Sequence, residues 1–305
     1  MKMKWTGVMP ATTTAFDKDL KVDHAFVGQH ARWLIDHGCT GIVTPGSLGE
    51  SATLSFDEKL AIWSTVVAAV GERAPVVAAI ASLSTAEAVR LAERAADLGC
   101  RGLMVLPPYV YRSDWREMKA HIEAVFRKTK LSCMLYNNPV AYGTDFLPDQ
   151  IKELAFEHEN FEAVKESSTD VRRVTWIREL LGDRLAIFVG VDDAIVEAIA
   201  VGAVGWVAGL VNALPEESVD LFNYAMNDER EKAITLYNWF LPLLRMDTVP
   251  KFVQLIKLVQ QEVGMGSARV RPPRLELIGT ELEETLKTIR HALANRPGAK
   301  QNRAR

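Results

Sequence analysis

The sequence predicts an α/β fold, a closed (β/α)8 barrel of the TIM type with a C-terminal helical region. Three observations carry it. Short β-rich runs alternate with amphipathic helical patterns up to about residue 225. There are eight such runs, spaced nearly evenly, which fits a closed barrel better than an open doubly wound sheet. An open nucleotide-binding sheet carries a glycine-rich phosphate loop after an early strand, and Gly46-Ser47-Leu48-Gly49-Glu50 matches neither dinucleotide nor mononucleotide patterns.

The runs are 7–16 (GVMPATTTAF), 41–46 (GIVTPG), 75–81 (PVVAAIA) and 102–108 (GLMVLPP), then 132–138 (SCMLYNN), 161–168 (FEAVKESS), 185–192 (LAIFVGVD) and 203–211 (AVGWVAGLV). Each is short, apolar and bounded by polar or turn-forming residues, as strands are. Between them lie helix signals. Ser55 with Glu58 and Ser84 with Glu87 read as capping boxes, and Pro148 and Pro215 suit first helical positions. Gly38, Gly99, Gly182 and Gly202 suit helix stops. After residue 225 only helical patterns continue, over 228–246, 250–263 and 280–295, the last opening on a Thr280/Glu283 box. The expected organisation is a barrel at 1–225 carrying the active site and a helical region at 226–305, frayed from 297 on.

The chain has 305 residues, 48% hydrophobic and 25% charged, enough to bury one large core. A net charge of −3 gives no general attraction to nucleic acid or anionic lipid. The N-terminus lacks a hydrophobic signal core and no window reaches membrane-spanning length, so a cytoplasmic location without membrane partners is expected. Cys39, Cys100 and Cys133 are odd in number and sit in or beside apolar segments, as reduced thiols do. The six histidines complete no metal spacing and read as exposed helix residues, so no metal or cofactor is expected.

Lys165 is the most informative residue. Period 2 places Phe161, Ala163, Lys165 and Ser167 on one strand face, and burial there disfavours the ammonium form. A lysine with a lowered pKa is a nucleophile able to form a Schiff base with a carbonyl substrate. A strand-end ion pair with Glu166 is the alternative. On the preceding strand Met134 and Tyr136 share a face, which brings a phenol beside the amine for proton transfer, although Tyr136 also suits a hydrogen-bonded core aromatic. The glycine turn from Gly46 can present backbone N–H groups to a carboxylate.

Several motifs, in order along nearly the whole chain, resemble the family of dihydrodipicolinate synthase and N-acetylneuraminate lyase, the class I pyruvate-type aldolases. They are Gly46-Ser47-Leu48-Gly49-Glu50, Pro107-Pro108-Tyr109, Tyr136-Asn137-Asn138-Pro139 with Gly143, Val164-Lys165-Glu166, and the tail from Val249-Pro250-Lys251 to Arg271-Pro272-Pro273. The resemblance implies that Lys165 is the Schiff-base lysine and Tyr136 the proton-transfer tyrosine. It implies substrate contacts at Ser47, Leu48, Tyr109, Gly190 and Val207, with Ser47 and the amides of residues 47 and 48 holding a 2-oxo acid carboxylate. It also implies a homo-oligomer, a dimer or tetramer; the pair Trp239-Phe240 suits helix packing or an interface equally well.

Three departures separate this chain from the lysine-pathway synthases of that family. Leu48 stands where a second hydroxyl is usual, Ala141 where an arginine grips the second substrate's carboxylate, and Val110 where a tyrosine completes a proton relay. The reading is therefore a Schiff-base lyase acting at C4 of a 2-oxo acid or cyclic imine, such as 1-pyrroline-4-hydroxy-2-carboxylate or 4-hydroxy-2-oxoglutarate. The alternatives are condensation of pyruvate with aspartate semialdehyde and a non-catalytic sensor barrel, against which the paired amine and phenol argue.

Overall fold

The computed structural model describes residues 3–109 and 111–297. Its eight strands are β1 (Gly7–Pro10), β2 (Ile42–Thr44), β3 (Val76–Ile80), β4 (Gly102–Val105), β5 (Ser132–Asn137), β6 (Phe161–Glu166), β7 (Ala186–Val189) and β8 (Gly205–Ala208). Every pairing is parallel, in the order β1-β8-β7-β6-β5-β4-β3-β2. The ring closes where Ala11 bridges Val43 and the Thr12 N–H donates to the Val43 carbonyl at 2.9 Å. The architecture is the predicted (β/α)8 barrel.

Each strand falls inside its predicted run, and most runs extend past the strand at the C-terminal end. Residues 13–16, 45–46, 107–108 and 191–192 lie beyond the last inter-strand backbone hydrogen bonds and form the loops at the mouth. That is the end where such barrels place their chemistry.

The helix signals hold with two exceptions. Ser55 and Glu58 form the reciprocal box, Pro148 and Pro215 open helices Pro148–Glu157 and Pro215–Met226, and Gly38, Gly99, Gly182 and Gly202 all take positive φ. Ser84 caps the Glu87 N–H, but the Glu87 carboxylate accepts from the Ser82 hydroxyl instead of closing the box. The last helix runs Gly279–Ala294 from Ile278, so Thr280 lies inside its first turn and caps nothing.

One continuous hydrophobic core joins the barrel to helices Arg230–Leu244, Phe252–Glu262 and Gly279–Ala294. Phe240 is buried and the Trp239 indole donates to the Ala292 carbonyl, so of its two readings this pair takes helix packing. The expectation of exposed histidines is corrected. His30, His121 and His158 are buried, His30 stacking between Phe26 and Trp33 with its Nε2 on the Asn212 carbonyl, because these helices turn that side chain toward the barrel. Burial pushes the thiols of Cys39 and Cys100 up to about 12, which keeps them inert.

The tail is tied to the glycine turn by a buried ion pair. Lys257 Nζ meets a Glu50 carboxylate oxygen at 2.5 Å, and the other oxygen accepts from the Arg271 N–H at 2.9 Å. Glu50 sits at φ 56, a left-handed conformation that ends the turn. The turn at the mouth is thus braced by residues more than 200 positions away in sequence.

Candidate active site

A cavity of about 490 Å³ opens at the C-terminal ends of the strands. Lys165 and Tyr136 line it, as do Ser47, Leu48, Tyr109, Gly190 and Val207. Lys165 projects inward from β6 between Tyr136 on β5 and Phe188 on β7, its partners in the parallel register. Only 6% of it is exposed, and Nζ lies 4.2 Å from the centroid of the Tyr136 ring. Burial brings the amine down to about 8, against the opposing pull of Asp247 and then Asp192.

The strand-end ion pair with Glu166 is not formed. Glu166 faces the other side of β6, where its carboxylate accepts from Asn137 Nδ2 at 3.1 Å and the Ser168 N–H at 2.6 Å. Asp192 is buried beneath the site and accepts from the Trp206 indole at 2.9 Å and the Leu210 N–H at 2.7 Å. Burial raises its carboxyl to about 6.

Gly190 makes room for the lysine. A Cβ there would stand 2.2 Å from Lys165 Cε and 2.1 Å from Ser167 Oγ, so any side chain at this position displaces the amine. Gly190→Ala should leave the barrel folded but cut turnover on the order of a hundredfold, the cost of an ångström-scale misplacement. Steady-state kinetics beside a thermal melt checks this.

Tyr136 is oriented by Asn138. The Asn138 carbonyl oxygen accepts from the Ala141 N–H at 2.9 Å, which turns its Nδ2 toward the phenol at 2.9 Å. The phenol oxygen therefore accepts, and its own proton is free to point into the cavity. Burial pushes this phenol up to about 12, so at neutral pH it is a proton donor. The Ser167 hydroxyl lies near it without a well-formed hydrogen bond and has no partner among the described residues.

At the glycine turn the Ser47 hydroxyl is hydrogen-bonded to that of Tyr142. The N–H groups of Ser47 and Leu48 donate to no other backbone group among the described residues, leaving them available to an anion. Tyr142 packs against Tyr136 and Tyr109 at 5.9 and 5.5 Å between ring centroids. Tyr111 is 56% exposed and is not part of the wall. Val110 lies outside the described residues.

Sequence reasoning missed three members of this site: Tyr142, Asp247 and Arg274. Tyr142 stood beside Ala141 in the departing segment and could have been weighed as its replacement. Asp247 and Arg274 come from the C-terminal region and carry no local signal. Among the described residues one group could ligate a metal, Glu123, Glu157 and His158, and Lys119 already meets Glu157 at 2.7 Å. That group does not line the cavity.

The pattern of the dihydrodipicolinate synthetase family matches residues 4–292. The chain belongs to this family. Its motifs are those of the dihydrodipicolinate synthetase family's class I aldolases, enzymes that work through a lysine Schiff base. A 4-hydroxy-tetrahydrodipicolinate synthase of Desulforudis audaxviator is 33% identical over 288 residues, covering 93% of this chain and 96% of that one. A dihydrodipicolinate synthase structure from Bacillus anthracis superposes with a TM-score of 0.90 at 30% identity, covering 97% of this chain and 99% of its own. The Acinetobacter baumannii dihydrodipicolinate synthase, solved with pyruvate, gives 0.88 at 26% identity, covering 95% of this chain and 99% of its own. No helix among the described residues of this family member is long and apolar enough to cross a membrane.

Proposed function

We propose that this family member binds a 2-oxo acid or cyclic imine as a Schiff base on Lys165 and eliminates at C4, with Tyr136 moving the proton. The deamination of a 4-hydroxylated 1-pyrroline-2-carboxylate is the form we favour. Attack of the Lys165 amine on C2 opens the ring, and the Tyr136 phenol gives the departing ring nitrogen its proton. The phenolate then takes the C3 proton, and loss of the C4 hydroxyl as water follows. A proton shift from C5 and its nitrogen to C3 and C4 turns the C5 amine into an imine, and two further waters hydrolyse this and the Lys165 imine, releasing ammonia and 2-oxoglutarate semialdehyde. Ser47 and the free N–H groups of the glycine turn hold the substrate's C1 carboxylate, with Leu48, Tyr109 and Val207 shaping the pocket.

The observation that carries this reading is the wall at Val140 and Ala141. It offers no charged side chain where a condensing enzyme needs one for a second carboxylate. A missing charge-assisted contact costs about 2 kcal/mol, roughly thirtyfold. Arg274 supports a second reading. It lines the same cavity, no hydrogen bond engages its guanidinium among the described residues, and a dicarboxylate such as 4-hydroxy-2-oxoglutarate would find a cation there. The synthase activity named for the relatives is the alternative to both.

We also infer a dimer or tetramer, supported by the exposed apolar side chains of Leu83, Tyr111 and Val140. A cytoplasmic setting, with no nucleic acid or membrane as partner, goes with the net charge of −3.

The test compares kcat/KM for the 4-hydroxylated pyrroline carboxylate, 4-hydroxy-2-oxoglutarate, and pyruvate with aspartate semialdehyde. Ammonia release from the first should be fastest. If condensation leads by a wide margin, the argument from Leu48, Val110 and Ala141 collapses.

A further inference from the structure

Asp247 brings a second ionisable group to the cavity, on the opposite flank of the lysine from Tyr136. It ends the single turn Arg245–Asp247 that joins helices Arg230–Leu244 and Phe252–Glu262. Its carboxyl rests on the end of β8, where a Cβ on Gly209 would stand 2.1 Å from Oδ1. Glycine is therefore required at residue 209 for the carboxyl to reach the cavity. The flanks follow from the strand order, with β5 carrying Tyr136 on one side of β6 and β7 and β8 on the other. No hydrogen bond or ion pair among the described residues occupies the Asp247 carboxyl, although Lys165 and Asp192 both lie close enough to shift its charge. The neighbouring Ser167 hydroxyl is 2% exposed, lines the same cavity and is also unpartnered. A buried hydroxyl without a partner is rare, and Ser167 together with the unengaged Asp247 carboxyl at the wall of the lysine's cavity points to a ligand that completes them.

Resting on the reading above, we propose that Asp247 is the catalytic acid for the C4 leaving group, so that this site dehydrates its Schiff-base adduct instead of cleaving the C3–C4 bond. Once Tyr136 phenolate has taken the C3 proton, the adduct is an enamine. Its electron pair forms the C3–C4 double bond as the C4–O bond breaks, and the hydroxide leaves as water with the Asp247 proton. The resulting carboxylate recovers a proton from C5, whose electrons form the C4–C5 double bond and flow into the Lys165 imine. Protonation of the dienamine at C3 and C4, with loss of a proton from the C5 nitrogen, leaves the C5 imine that water hydrolyses. The same group decides between two reactions. Retro-aldol cleavage needs a base to take the C4 hydroxyl proton, whereas dehydration needs an acid to give one. Burial, reinforced by the negative charge of Asp192, holds the Asp247 carboxyl well above the usual carboxylate range, a shift toward the protonated form that dehydration needs.

The experiment uses the full chain and the Asp247→Asn variant, with pyruvate trapping by borohydride and turnover of both 4-hydroxylated substrates as readouts. Trapping on Lys165 at a pH above the pKa of the amine should be unchanged, because Schiff-base formation at C2 does not use Asp247, while the pH profile of trapping should move to lower pH as the carboxyl's pull on the amine is lost. Ammonia release from the pyrroline substrate should fall on the order of a hundredfold or more. Gly209→Ala, which crowds the carboxyl out of place, should give the same split and guards against misfolding of the first variant. If Asp247→Asn releases ammonia as fast as wild type, the assignment of Asp247 fails while the deaminase reading stands. Parallel loss of trapping and turnover would make Asp247 a tuning group for Lys165 and also overturn the assignment. If wild type releases no ammonia and yields pyruvate with glyoxylate from 4-hydroxy-2-oxoglutarate, or only condenses pyruvate with aspartate semialdehyde, both the reading and the assignment fall.

Discussion

Lys165→Ala should lose turnover on the order of a thousandfold or more, the residue being the covalent attachment point of the proposed reaction. The fold should survive. Lys165 makes no direct ion pair, Asp192 keeps its hydrogen bonds from Trp206 and Leu210, and the alanine simply enlarges a cavity already open to solvent. Lys165→Arg should be equally inactive, since a guanidinium stays protonated and cannot attack a carbonyl. The same amine sets a pH dependence. With its pKa brought down to about 8, the reactive free-base fraction grows as pH rises through that value and falls below it. The kcat/KM profile should therefore climb toward alkaline pH on an acidic limb near that point. An alanine variant with wild-type turnover would remove Lys165 from the mechanism.

Tyr136→Phe should keep substrate binding and lose on the order of a hundredfold in kcat, the size of a missing proton-transfer group. The ring that packs under Lys165 Nζ remains, so the cation–π contact and the core persist. Asn138 Nδ2 loses its acceptor, which should cost about 1 kcal/mol of stability. Separate measurement of kcat and KM, with a thermal melt, distinguishes a proton-transfer role from a purely structural one. A variant altered only in melting temperature would make Tyr136 a packing residue.

The strands and their order were legible because burial on both faces writes parallel strands as continuous apolar runs, and the glycine and proline signals between them describe real helix ends. Strand ends were less legible. The run from Gly7 reads as β through Phe16, yet pairing as a strand stops at Pro10, because apolar loop residues at a barrel mouth look like strand residues to a periodicity argument. Lys165 and Tyr136 stood out because a charged or phenolic group interrupts an apolar face. Asp247 and Arg274 did not, since a polar residue between two helices is unremarkable until tertiary packing brings it over the mouth. His30, His121 and His158 failed for the converse reason, as a helix pattern with mixed polarity does not say which polar residue turns inward.

Borohydride reduction in the presence of pyruvate, followed by mass spectrometry of the digested protein, tests the central assignment most directly. The account predicts one stable adduct on the peptide containing Lys165, and none in Lys165→Ala. Labelling of a different lysine, or adduct formation undiminished in the alanine variant, would contradict it.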